Sequence, residues 1–117
     1  MEQLFVYGTL KDPLVQKKVI GKAVQGILDI LEGFAISRIK LGNVVYPILI
    51  RKNGSEAKGL VISVTPKELK LIDDYETNAY ERQKAVLKSG KAAWAYVEPV
   101  SFPQFQVNLF FLCRFLN

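Results

Sequence analysis

Few side chains in this sequence are equipped for chemistry. Its 117 residues contain no histidine and one cysteine, Cys113. That excludes Ser-His and Cys-His nucleophile pairs, imidazole metal sites and histidine acid/base work, and leaves carboxylate, tyrosine, lysine or backbone to carry any reaction. One carboxylate stands out by position. In Thr65-Pro66-Lys67-Glu68-Leu69-Lys70-Leu71-Ile72-Asp73-Asp74-Tyr75-Glu76, Thr65 and Glu68 read as a capping box and Pro66 suits the first helical position, so a helix is predicted to start here. At about 100° per residue, Leu69, Leu71, Ile72 and Tyr75 share one broad side while Lys67, Lys70 and Asp74 face water. Glu76 falls inside the apolar sector. A carboxylate turned inward must be paired, protonated or used, and burial raises its pKa toward the range of a general base. Two plainer readings stand beside this one: the helix ends near Tyr75 and leaves Glu76 in solvent, or Arg82 pairs with Glu76 structurally.

The second feature is Gly8-Thr9-Leu10, which breaks the apolar run Leu4-Phe5-Val6-Tyr7. A strand-to-helix loop with a glycine in it exposes peptide N–H groups that can hold a carboxylate or a developing oxyanion, although most glycines after strands only make turns. Asp12-Pro13 then reads as an N-cap and first helical residue, and Gly21 ends a helix over about Leu14 to Ile20.

The elements that must position these groups are mostly strands. Ala23 to Ile39 and Tyr46 to Arg51 are strand-like, and Asn53-Gly54 predicts a hairpin turn into Gly59 to Val64, which feeds the Glu76 helix. Tyr80 to Lys88 and Lys91 to Val97 make another hairpin through Ser89-Gly90, with Trp94 and Tyr96 on one face and Ala95 and Val97 on the other. Five to seven strands and two helices in one domain over 1–117 predict an α+β fold, a small closed or nearly closed mixed β-barrel with two flanking helices, because closure removes exposed edges.

Composition narrows the partners. The net charge of +5, from 16 Lys and Arg against 11 Asp and Glu, is dispersed along the chain, which describes a solvated basic surface better than a nucleic-acid footprint. No long apolar span or basic leader predicts membrane insertion or export, and one cysteine suits a reducing, cytoplasmic compartment. No clustered ligand set calls for a metal, and no cofactor is expected. The apolar tail over residues 101–117 reads as a final core strand or docked helix, or alternatively as a homodimer contact, with Cys113 an inert filler within it.

Taken together, Phe5-Val6-Tyr7-Gly8-Thr9-Leu10, the Tyr46-Pro47 pair, Ile72-Asp73-Asp74-Tyr75-Glu76 with Tyr80 and Arg82 after it, and Trp94-Ala95-Tyr96 occur in a familiar order. From about Phe5 to Val97 the chain resembles the gamma-glutamylcyclotransferase-like, AIG2-like family. The resemblance implies a small barrel with a cavity at its mouth, a catalytic glutamate matching Glu76 and a substrate-holding loop matching Tyr7, Gly8, Thr9 and Leu10. It also implies a small γ-glutamyl compound as substrate. Tyr80 is a further candidate for substrate contact, and Arg82 is expected to steady an acidic neighbour such as Asp73. Thr77 departs from the family, which usually has glycine after the glutamate. Two other functions remain open: a non-catalytic module on the same barrel that binds a small ligand or a protein, and an RNA-binding barrel using the basic charge and the Tyr or Trp faces.

Overall fold

Period-two alternation in the first strand, β1 (Glu2–Val6), sends Leu4 and Val6 to one side and Phe5 to the other, and each side has its own core. The computed structural model describes residues 1–99; the tail over residues 101–117, Cys113 included, lies outside the described residues. After β1 come α1 (Pro13–Ile20), β2 (Ile27–Leu41), β3 (Val44–Val64), α2 (Pro66–Glu76), β4 (Glu81–Val86) and β5 (Ala92–Val97). Short 3₁₀ turns occupy Thr9–Lys11 and Thr77–Ala79.

The described strands form one mixed sheet in the order β2-β3-β1-β5-β4, with β1 and β5 parallel and the remaining neighbours antiparallel. The sheet curls into a half-barrel. Its curl brings Leu49 of β3 beside Val97 of β5 as an extra parallel pairing. The ends of the sheet approach each other at the β4–β5 turn, where Lys88 N–H donates to Ile30 O at 2.8 Å and Ser89 Oγ donates to Asp29 Oδ2 at 2.5 Å. Phe5, Leu31, Leu49, Val61, Ala95 and Val97 fill the concave side, and Leu4, Val6, Ile62, Val64 and Tyr96 pack under the helices.

One expected turn is misplaced. Asn53-Gly54 makes no hairpin: β3 runs through it and pairs with β2 on both sides, with Glu56 opposite Glu32 and Arg51 opposite Phe34. Residues 52–55 therefore bulge opposite Gly33 alone, with Gly54 at φ +82°. The hairpin lies at Gly42-Asn43, between the paired Leu41 and Val44. The physical reason is that Asn-Gly reports a local need for positive φ, which a bulge meets as well as a hairpin does.

Both helices begin as the sequence predicts. Asp12 Oδ1 accepts the Leu14 N–H at 2.9 Å and Pro13 opens α1, while Thr65 and Glu68 form the reciprocal capping box of α2 with bonds of 2.8 and 3.1 Å. Leu69 and Ile72 bury the inner face of α2 against the sheet, and a fully covered side chain such as Ile72 contributes roughly 1.5–3 kcal/mol. Leu71 and Tyr75, expected on the same side, are exposed, because the helix lies on the curved sheet along a narrower stripe than its apolar sector. Among the described residues, no helix is long and apolar enough to cross a membrane.

Candidate functional site

A capped start and two anchoring apolar residues set the rotation of α2, and that rotation decides where its last residue goes. Glu76 ends the helix, half-buried, in a cavity of about 260 Å³ at the rim of the half-barrel. The walls come from the end of β1 and the loop after it (Phe5 to Leu10), from the β2–β3 hairpin (Leu41, Tyr46, Pro47), and from Tyr75, Thr77, Tyr80 and Tyr96. All five candidate residues named with Glu76, which are Tyr7, Gly8, Thr9, Leu10 and Tyr80, line this one cavity. They converge from positions up to 73 residues apart, between Tyr7 and Tyr80, because β1 lies centrally in the sheet next to both β3 and β5.

Glu76 is the one charged side chain lining the cavity, and no hydrogen bond or ion pair holds its carboxylate among the described residues. Burial alone pushes it from 4.5 up to about 7. It is thus divided between acid and base near neutrality. Arg82, the alternative partner, is engaged elsewhere: its Nε lies 3.0 Å from Asp73 Oδ1, as the sequence reading expected of an acidic neighbour.

Tyr7, Tyr75 and Tyr80 are tied down through their hydroxyls. Tyr7 OH donates to Tyr96 O at 2.7 Å and accepts the Leu49 N–H at 3.3 Å, Tyr80 OH donates to Pro47 O at 2.8 Å, and Tyr75 OH shares a 3.0 Å bond with Thr9 Oγ1. Burial, with the nearby Glu76 carboxylate adding to it, pushes Tyr80 up to about 12; burial also raises Tyr7 far above the usual tyrosine range. These groups stay neutral. Tyr80 therefore offers its ring to the cavity, and its hydroxyl is occupied by the Pro47 carbonyl.

Gly8 is required by packing: a Cβ there would lie 2.8 Å from Pro47 Cγ, inside any tolerable contact. The 3₁₀ turn after it closes with Lys11 N–H to Gly8 O at 3.1 Å and Asp12 N–H to Thr9 O at 3.0 Å. Helical geometry leaves the first N–H groups of such a turn without partners inside it, and Gly8, Thr9 and Leu10 line the cavity.

Thr77 stands where the resemblance led us to expect glycine, and its backbone shows what the position demands. Its φ of +63° and ψ of −167° make it the one non-glycine residue with positive φ among the described residues. This region is nearly reserved for glycine and costs about 1–3 kcal/mol for other residues. The chain adopts it to leave α2 directly after Glu76. Thr77 Oγ1 accepts the Ala79 N–H at 3.3 Å, a partial offset.

Several wall residues carried little individual signal in the sequence. Tyr46 and Pro47 entered as part of a strand-like run and of the family resemblance, Tyr96 as one face of a strand and part of the same resemblance, and Leu41 not at all. Their roles depend on where the hairpin tip and β5 arrive in space.

A family model described as gamma-glutamyl cyclotransferase, AIG2-like matches residues 4–107. AIG2-like protein C of Arabidopsis thaliana is 32% identical over 81 residues, covering 68% of this chain and 46% of that protein; AIG2-like protein A of the same plant is 32% identical over 83 residues, covering 70% and 49%. The chain thus spans about half the length of the curated relatives it matches. Among solved structures, a solution structure of At5g39720.1 from Arabidopsis thaliana superposes with TM-score 0.72 at 24% identity, covering 98% of this chain and 85% of that one. A structure titled gamma-glutamyl cyclotransferase superposes with TM-score 0.63 at 15% identity, covering 84% and 66%. At such identities the likeness establishes a shared fold.

Proposed function

The chain belongs to the gamma-glutamyl cyclotransferase, AIG2-like family, and from that premise we propose that its cavity cyclises a γ-glutamyl amide or isopeptide to 5-oxoproline, releasing an amine or amino acid. One observation carries the reading: a lone carboxylate, Glu76, raised by burial to about 7 and held by no partner among the described residues, lines a cavity walled by neutral groups. A base poised near the working pH is what amine chemistry at neutrality needs.

The reaction requires no protein nucleophile. The substrate's α-amine attacks its own γ-carbonyl, a C–N bond forms within the five-membered ring, and the bond to the leaving nitrogen breaks. Glu76 takes the proton from the attacking amine and returns it to the leaving nitrogen, so the carboxylate ends each turnover as it began. Folding the substrate back on itself supplies much of the acceleration, which is the work of a small cavity with fixed walls. In this reading the peptide N–H groups of Gly8, Thr9 and Leu10, which line the cavity, hold the substrate carboxylate or the tetrahedral oxyanion, and the rings of Tyr7 and Tyr80 pack against its methylene chain. No protein cofactor enters this scheme. A single cysteine in the sequence suits a reducing, cytoplasmic setting for it.

The test is mass-spectrometric detection of 5-oxoproline after incubating the wild type and Glu76→Gln with γ-glutamyl amino acids, γ-glutamyl amines and γ-glutamyl-ε-lysine. Wild type is expected to form product, and Glu76→Gln to lose roughly 10²-fold or more in turnover, as for a missing general acid/base. Near-wild-type turnover by Glu76→Gln would refute the assignment of the base. No product from any substrate would favour a binding role for the cavity.

A further inference from the structure

Behind the wall that carries Glu76 lies a second hollow, and the two share Thr77, Tyr80 and Tyr96 as a common partition. The rear hollow is polar and holds Asp73, Asp74 and Arg82. Asp73 stands three residues before Glu76 on α2, a spacing that brings side chains within about 5–6 Å at Cβ. Its Oδ1 receives two donors, Tyr96 OH at 2.5 Å and Arg82 Nε at 3.0 Å. Arg82 is itself held, with its guanidinium 4.3 Å from the centre of the Trp94 ring. Tyr96 works at both ends, because its backbone carbonyl also accepts the Tyr7 hydroxyl on the cavity side.

We infer that Asp73, Arg82 and Tyr96 are positioning residues for Glu76: they clamp the last turn of α2 to β4 and β5, and the guanidinium cancels the carboxylate one helical turn before the reacting one. The clamp acts through geometry and charge together. Tyr7 after β1, Tyr46 from β3, Tyr80 after α2 and Tyr96 from β5 line the cavity, with Tyr75 beside Glu76 on its own helix. Charges in the two hollows, among the described residues, are then Glu76, Asp73, Asp74 and Arg82. Asp74 is solvent-exposed and screened by water, whereas Asp73 and Arg82 are mostly covered. With Asp73 and Arg82 paired, their charges offset each other at Glu76, which leaves burial as the one cause of its shift.

Charge and packing make opposite predictions for one variant. Arg82→Gln leaves Asp73 bare beside Glu76, which raises the Glu76 titration midpoint; simple loosening of the clamp would let in water and lower it. Asp73→Asn leaves Arg82 bare and lowers the midpoint, and the double variant restores neutrality. The inference rests on Glu76 being the reacting group, but its test reads that carboxylate directly. Carbon-13 NMR titration of side-chain-labelled glutamate, with the Glu76 signal assigned by its loss in Glu76→Gln, is expected to move up by about half a pH unit in Arg82→Gln. It moves down by a similar amount in Asp73→Asn, returns to the wild-type midpoint in the double variant, and stays near wild type in Arg82→Lys. A fall in Arg82→Gln, or a double variant displaced as far as either single one, would overturn the inference. If Arg82→Gln fails to fold, the return of the double variant from the Asp73→Asn midpoint decides the question. The 5-oxoproline assay on the same proteins separates the two readings: midpoints that move as stated with no product from any protein uphold the clamp and refute the reaction.

Discussion

At the scale of single residues, the protein keeps the Glu76 carboxylate in an environment that disfavours its charge. Burial raises Glu76 in the folded chain to about 7, against 4.5 when unfolded, so between those values the folded chain binds a proton that the unfolded chain has released. Stability must then fall as pH rises through this window and level off above about pH 7. The penalty is on the order of 1–3 kcal/mol, since each unit of pKa difference corresponds to about 1.4 kcal/mol. Glu76→Gln lacks it. Denaturant melts should find that variant more stable than wild type at pH 8 by roughly that amount, with the difference vanishing toward pH 4.5. Equal stability of the two proteins at pH 8 would mean that water reaches the carboxylate freely. Much of this was legible beforehand, because Glu76 sits at helical spacing from Leu69 and Ile72. Its lack of a partner among the described residues was not, since Arg82 could have reached either Glu76 or Asp73 and only their positions in space choose between them.

At the scale of elements, α2 is a device for aiming its last residue. The capping box fixes where the helix begins, Leu69 and Ile72 fix its rotation, and the positive-φ step at Thr77 takes the chain away before another turn could form. Thr77→Gly should remove the backbone strain of about 1–3 kcal/mol, less about 0.4–1 kcal/mol for the freedom glycine adds to the unfolded chain. A net gain of about 1 kcal/mol, seen as a melting temperature a few degrees higher, is the expected outcome. A lower melting temperature would show that the Thr77 hydroxyl bond to Ala79 outweighs the strain. Helix ends were readable because caps are local chemistry. The strands were less so: Asn53-Gly54 carries the residues of a hairpin turn, yet the chain bulges there and continues as β3, because pairing with β2 on both sides outweighs a local turn preference.

At the scale of the whole molecule, the half-barrel is held in its curl by a small seam: the Lys88 N–H bond to Ile30 O and the Asp29 carboxylate with Ser89. Asp29 is only half-buried and belongs to neither core cluster, so it should act on local opening and leave global unfolding nearly unchanged. Asp29→Ala is expected to speed hydrogen exchange at the Lys88 amide by about tenfold while amides in the β1–β3 ladder exchange as before, the pattern of a sub-global opening. Uniform acceleration across the sheet would show instead that the seam supports the whole fold. What the sequence by itself determined is whatever is encoded over a few neighbouring residues: helix starts at Asp12 and Thr65, the inward turn of Glu76, the two faces of β5, and the absence of histidine that leaves any chemistry to carboxylate, tyrosine, lysine or backbone. Only the tertiary structure decided which residues meet. Leu41, Pro47 and Tyr96 reach the cavity, and Arg82 finds Asp73, because the curl of the sheet brings distant strands together. That curl is the joint result of pairing, twist and packing along the whole chain, which no short window contains.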